Sequence, residues 1–195
     1  MPYPVLLVPG WSDRAKRLYP LRDDLLRAGW RANHIEVVDF RRRFGSNTEH
    51  AAEIAAALQR LVERTGADRV DVVAHSMGGL ALRYYLHFGD AAQQVRRVIF
   101  TGTPHSGTWV AWLAWGAGAR DMRPNSRFLR ALNEVPALPA GIEALCLTTP
   151  TELRVLPRRS ARLAGVRCKG VWCASHARML RSRRVFAAVR AFLQE

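Results

Sequence analysis

Residues 69–86 read Arg69-Val70-Asp71-Val72-Val73-Ala74-His75-Ser76-Met77-Gly78-Gly79-Leu80-Ala81-Leu82-Arg83-Tyr84-Tyr85-Leu86. The β-branched run that opens this stretch predicts a buried strand, and the apolar spacing from Leu80 to Leu86 predicts a helix. Between them sits a serine among small residues. A strand that turns sharply into a helix at such a serine is the setting of a nucleophile elbow. The turn needs small residues two before and two after the serine, because a larger side chain would strike the backbone. Gly78 meets this demand at the second position, and Ala74, one methyl larger than glycine, nearly meets it at the first. The bland alternative is a strand–helix connection that happens to contain serine.

Outward from this stretch the same rhythm repeats. Residues 3–8 are a continuous apolar run ending at Pro9-Gly10-Trp11-Ser12, and residues 15–28 follow helical spacing up to Gly29. Residues 35–39 predict a second strand. Asn47-Thr48-Glu49 offers an N-cap to an alanine-rich helix over 51–64, stopped by Gly66. Residues 95–100, 142–148 and 166–172 predict three further strands, and residues 183–193 a closing helix. Alternating strand and helix predicts an α/β fold: about six mostly parallel strands, helices on both faces, one domain over 1–195. Residues 104–140 break the rhythm with Gly107, Gly116, Gly118, Pro124, Pro136 and Pro139, and with Trp109, Trp112 and Trp115. They read as an irregular cap- or lid-like insertion.

Composition narrows the class. A hydrophobic share of 49% with 24% charged residues fits a globular core rather than a disordered chain. The formal net charge is +14, and all but Lys16 and Lys169 of the 30 cationic residues are arginine. Clusters at 41–43, 158–159 and 181–184 suit either a solvated surface or an anionic membrane surface. No nucleic-acid motif accompanies them, so no specific nucleic-acid partner is expected. Cys146, Cys168 and Cys173 have no metal-ligand spacing, and an odd count argues against a pure disulfide framework. No basic leader precedes the first strand and no apolar run is long enough to span a bilayer, so a cytoplasmic location is expected.

In a parallel sheet of this kind the site lies at the carboxyl ends of the strands. Serine is a weak nucleophile that needs a base, and the base needs an acid to orient it. The chain order expected at a nucleophile elbow is serine, acid, histidine. His34 and His50 precede Ser76. His75 adjoins it with a side chain expected to point away, and His87 lies at the far end of the following helix. His105 competes but reads better as a structural residue of the Thr103-Pro104-His105-Ser106-Gly107 turn. His176 follows the last strand, where a loop would deliver a base.

Of the acids between Ser76 and His176, Asp90 lies past the helix, Glu143 opens a strand at its wrong end, and Glu134 and Asp121 lie in the insertion. Glu152 alone follows the carboxyl end of a strand directly. Asp121 stays open as a rival acid, although Arg120 and Arg123 beside it favour a surface ion pair. The oxyanion would be held by the backbone N–H of Met77 and that of Trp11 in the loop after the first strand. Trp109, Trp112, Leu113 and Trp115 have roughly helical spacing and read as acyl-pocket wall, lipid-contact surface or core under a loop.

These residues resemble the small bacterial lipases and esterases of the α/β-hydrolase fold over nearly the whole chain. Val8-Pro9-Gly10-Trp11 is similar to their oxyanion segment, with proline where they carry histidine, and Ala74-His75-Ser76-Met77-Gly78-Gly79 to the turn of the smallest members. Gly102-Thr103-Pro104-His105-Ser106-Gly107-Thr108, residues 123–129, and His176 with Met179-Leu180 resemble further family segments. Glu152 in Thr151-Glu152-Leu153-Arg154-Val155-Leu156-Pro157 stands where the family has an aspartate. The resemblance implies hydrolysis of ester or lipid substrates with Ser76, Glu152 and His176, without metal or cofactor. Acyl transfer or thioester hydrolysis on the same residues, or an inactive binding protein of this fold, are the alternatives.

Overall fold

The chain is described from a computed structural model covering residues 2–89 and 92–195; Asp90 lies outside the described residues. Its strands are β1 (Val5–Val8), β2 (Ile35–Val37), β3 (Val70–His75), β4 (Val95–Thr101), β5 (Glu143–Thr148) and β6 (Arg167–Gly170). They form one sheet in the order β2-β1-β3-β4-β5-β6, every pair parallel. The helices are α1 (Tyr19–Arg27), α2 (Asn47–Thr65), α3 (Met77–Phe88), α4 (Ala117–Asp121), α5 (Arg127–Glu134) and α6 (Arg183–Gln194).

Strand β1 shows why these strands read as unbroken apolar runs. Val5 and Leu7 pack with residues of α1 and α6 on one face, while Leu6 and Val8 pack with residues of α2 and α3 on the other. Successive side chains of a strand point to opposite faces, so a sheet covered on both sides needs apolar residues at every position. Each fully buried leucine or valine contributes about 1.5–3 kcal/mol.

Three elements differ from the sequence reading, each for a local reason. Residues 15–28 split into a 3-10 turn at Ala15–Arg17 and α1, because Pro20 opens a new helix at its first turn. Helix α2 starts earlier than expected: Ser46 caps it and Glu49 returns the bond in a capping box. Strand β6 is shorter than residues 166–172 and exposed along its length, as an edge strand covered on neither side. The 104–140 segment is less irregular than its glycines and prolines suggest. It holds a 3-10 turn at Trp109–Leu113, then α4 and α5.

Candidate active site

The strand-to-helix turn forms at the centre of the sheet. Strand β3 ends at His75, α3 begins at Met77, and Ser76 between them has φ 52° and ψ −127°. A non-glycine residue there costs about 1–3 kcal/mol and persists only when its surroundings hold it. The Ser76 N–H donates to the Thr101 carbonyl (2.9 Å) and its own carbonyl accepts from the Gly79 N–H (3.0 Å). The small residues are needed for close approach. A Cβ on Gly78 would lie 2.2 Å from the Pro9 carbonyl oxygen, and one on Gly10 would lie 3.0 Å from the Ser76 Cβ. The loop after β1 is thereby seated against the serine.

Two loops from the neighbouring strand ends meet beside this turn. His176 Nδ1 and Glu152 Oε2 are 2.7 Å apart, and both residues are buried. The other carboxylate oxygen accepts the N–H groups of Arg154 (2.7 Å) and Val155 (3.1 Å). Burial pushes the Glu152 carboxyl up, but the His176 bond and charge and the two backbone donors outweigh it, so the group sits below its ordinary value. With Glu152 ionised, Nδ1 carries the proton and the ring's other nitrogen is left as the acceptor. The loops are clipped together, since Thr149 and Thr151 both donate their hydroxyls to the Cys173 carbonyl. Met179 and Leu180, buried in the core next to α6, anchor the chain after His176.

Ser76 and His176 open onto one cavity of about 350 Å³, together with Trp11, Val110, Leu113 and Trp115. Among the described residues, neither the Trp11 nor the Met77 N–H donates to a protein acceptor. Trp11 packs edge-on against Phe44 and Trp115, with ring centroids 5.2 and 5.6 Å away.

Other expected positions come out differently. Trp109 and Trp112 do not line the cavity. Their segment is a 3-10 turn, in which residues three apart share a face. Val110 and Leu113 take the cavity side, while Trp109 and Trp112 share the next face and are 61% and 55% exposed. Asp121 is neither beside His176 nor paired with Arg120 or Arg123. Its carboxylate accepts the backbone N–H (2.8 Å) and side-chain amide (3.2 Å) of Asn47, which ties the insertion to the first turn of α2. His105 is buried against Phe100 and the Cys146 thiol.

His75 does not point away. It lines the cavity with its ring 4.7 Å from that of His176, and its Nδ1 lies 3.1 Å from the Thr101 hydroxyl. That hydroxyl donates to the Ala74 carbonyl, so it accepts the His75 Nδ1 proton. Burial and the neighbouring His176 hold His75 well below the usual histidine range, and it is neutral.

A family-wide sequence model described as the alpha/beta hydrolase fold matches residues 3–137. The chain belongs to the α/β-hydrolase fold family. A 115-residue stretch of this α/β-hydrolase chain is 31% identical to triacylglycerol lipases of Pseudarthrobacter phenanthrenivorans and Burkholderia plantarii. It takes in 56% of the chain but 35% and 31% of those lipases, so the match spans about a third of these curated relatives. The mature lipase BlEst2 of Bacillus licheniformis superposes with a TM-score of 0.83 at 18% identity, covering 98% of this chain and 92% of that one. Aspergillus fumigatus lipase B gives 0.82 at 19% identity, covering 100% and 53%. At these identities the likeness is one of fold.

Besides His75, one position of this α/β-hydrolase site escaped the sequence reading. Gly102, at the end of β4, has φ 61°, and a Cβ there would lie 2.9 Å from His176 Cε1 and 3.4 Å from Glu152 Oε2. The Gly102-Thr103-Pro104 turn marks it as a turn glycine, but nothing local to it reports that it lies under residues 50 and 74 positions away.

Proposed function

We propose that the chain hydrolyses carboxylic esters through an acyl-enzyme on Ser76. The observation that carries this reading is the buried Glu152–His176 pair, 2.7 Å apart, whose histidine lines the same cavity as a serine held at positive φ. Ser76 Oγ attacks the acyl carbon while His176 takes its proton. The oxyanion is held by the Trp11 and Met77 N–H groups, which among the described residues have no protein acceptor of their own. His176 returns the proton to the departing alcohol, and water activated by the same histidine releases the acid. Glu152 holds the ring in the tautomer this requires and stabilises the imidazolium. A short p-nitrophenyl ester together with a fluorophosphonate label tests the reading. Turnover with labelling at Ser76 supports it; a native protein that shows neither would sink it.

Gly102→Ala is expected to cut turnover by about 10²-fold, since displacing a catalytic group by an ångström has that order of effect. Thermal unfolding of the same preparation should show a folded protein.

The partner we propose beyond a small ester is an anionic lipid surface. Leu113 and Trp115 on the cavity wall are 87% and 66% exposed, and Trp109 and Trp112 extend this rim away from the cavity. Phe44, in contact with Trp115, follows Arg41, Arg42 and Arg43. Aromatic rims flanked by arginine suit the headgroup region of a bilayer, and each cation near an anionic surface adds about 1 kcal/mol. Trp109→Ser with Trp112→Ser should weaken sedimentation with phosphatidylglycerol vesicles while sparing soluble short esters. Leu113→Ser with Trp115→Ser should lower turnover of longer soluble esters more than of acetates. Equal losses in all four assays would reject this division between rim and cavity wall.

A further inference from the structure

A second cleft, of about 610 Å³, lies behind the Glu152 loop and is lined by Thr149, Arg158, Arg159, Arg162, Gly170 and Trp172. Its chemistry differs from that of the Ser76 cavity. Among the described residues, none of the three guanidinium groups pairs with a carboxylate. The one acid on the cleft wall, Glu152, is already engaged by His176 and by the Arg154 and Val155 amides. Arg158 is held in place, its Nε donating to the Glu152 carbonyl at 3.1 Å. Trp172 is 62% exposed and, among the described residues, stacks on no other ring. Gly170 leaves the strand end open, with nothing within 4 Å of the place a Cβ would take.

Three uncompensated arginines concentrate positive charge and present forks of donors that match phosphate oxygens in pairs. A tryptophan face left in water beside them offers a platform for a flat ring. We propose that this cleft binds a nucleoside di- or triphosphate, with the phosphates on Arg158, Arg159 and Arg162 and the base against Trp172. The cleft is within the size range of small-ligand sites. The proposal stands apart from the chemistry at Ser76, since it needs no turnover.

Calorimetric titration of the full chain at 150 mM salt with ATP, pyrophosphate and adenosine tests it. ATP should bind about tenfold more tightly than pyrophosphate, the order of one base–aromatic stack, and adenosine should bind far more weakly than either. Trp172→Leu should erase the advantage of ATP while leaving pyrophosphate unchanged. Arg159→Gln with Arg162→Gln should weaken both by about tenfold or more. Because the chain carries a net charge of +14, the decisive control removes equal charge elsewhere. Arg31→Gln with Arg130→Gln, exposed positions outside the cleft, should leave both affinities nearly unchanged. Equal losses in the two double variants would mean diffuse attraction of polyanions and overturn the site. ATP binding no better than pyrophosphate in the unaltered chain would overturn the stacking role of Trp172 and with it the assignment to a nucleotide.

Discussion

Ser76→Ala is expected to lower kcat/KM for a short p-nitrophenyl ester by about 10⁴-fold or more. Removing the nucleophile leaves only binding and the oxyanion donors, and these account for a small residue of the rate. The fold should survive. The variant loses one oxygen atom and creates no large cavity, and the β3–α3 turn is set by Gly78 against Pro9 and Gly10 against Ser76 rather than by the hydroxyl. The positive φ at this position remains a cost for alanine as for serine, so thermal unfolding should change little. Steady-state turnover and fluorophosphonate labelling on one preparation check the expectation. Retained turnover in a clean Ser76→Ala sample would remove the serine mechanism.

Glu152→Gln is expected to cut turnover by about 10²–10⁴-fold. Glutamine keeps the size of the side chain and loses the charge that holds the His176 proton on Nδ1. Glu152→Asp should recover only part of the rate, because the carboxylate falls a methylene short of a ring now 2.7 Å away. Asp121→Asn serves as the comparison. Its carboxylate caps the Asn47 end of α2, so near wild-type turnover is expected there. Collapse in Asp121→Asn beside normal rates in Glu152→Gln would reverse the assignment.

The pH dependence of Glu152 follows from the same contacts. Its carboxyl is held below its ordinary value in the folded chain, so the unfolded chain takes up a proton first as pH falls. The stabilisation is therefore complete at neutral pH and is lost as pH drops through and below the usual carboxylate range. Chemical denaturation of wild type and Glu152→Gln across acid pH should show their stability difference shrinking in that window. A difference independent of pH would mean that the charge contributes nothing to the fold.

Much of the architecture was legible because the sheet imposes its periodicity on the chain. Buried parallel strands such as Val5–Val8 need apolar residues on both faces, and the helices between them need a one-sided stripe. The order Ser76, Glu152, His176 was legible because each follows the carboxyl end of a strand. Strand β6 is shorter than residues 166–172 suggest, since an edge strand with exposed side chains leaves no apolar signature of its length. The helices of the insertion are hidden because Gly116, Gly118 and Pro124 read as breakers, yet Gly116 and Pro124 sit outside α4 and α5, and Gly118 sits inside α4 where a Cβ would lie 2.6 Å from the Gly45 carbonyl oxygen.

The sequence by itself determined the strand–turn–helix around Ser76, the six-stranded parallel plan and the residues that end at one rim of the sheet. Only the tertiary structure decided which of them meet. It turned His75 toward His176, set Gly102 beneath the Glu152–His176 pair, and put Leu113 and Trp115 on the cavity while leaving Trp109 and Trp112 outside. It also sent Asp121 to the end of α2. The physical reason is that periodicity and turn chemistry act over a few neighbouring residues. Contacts across 50 or more positions depend on which strands lie side by side and how tightly their end loops are clipped together.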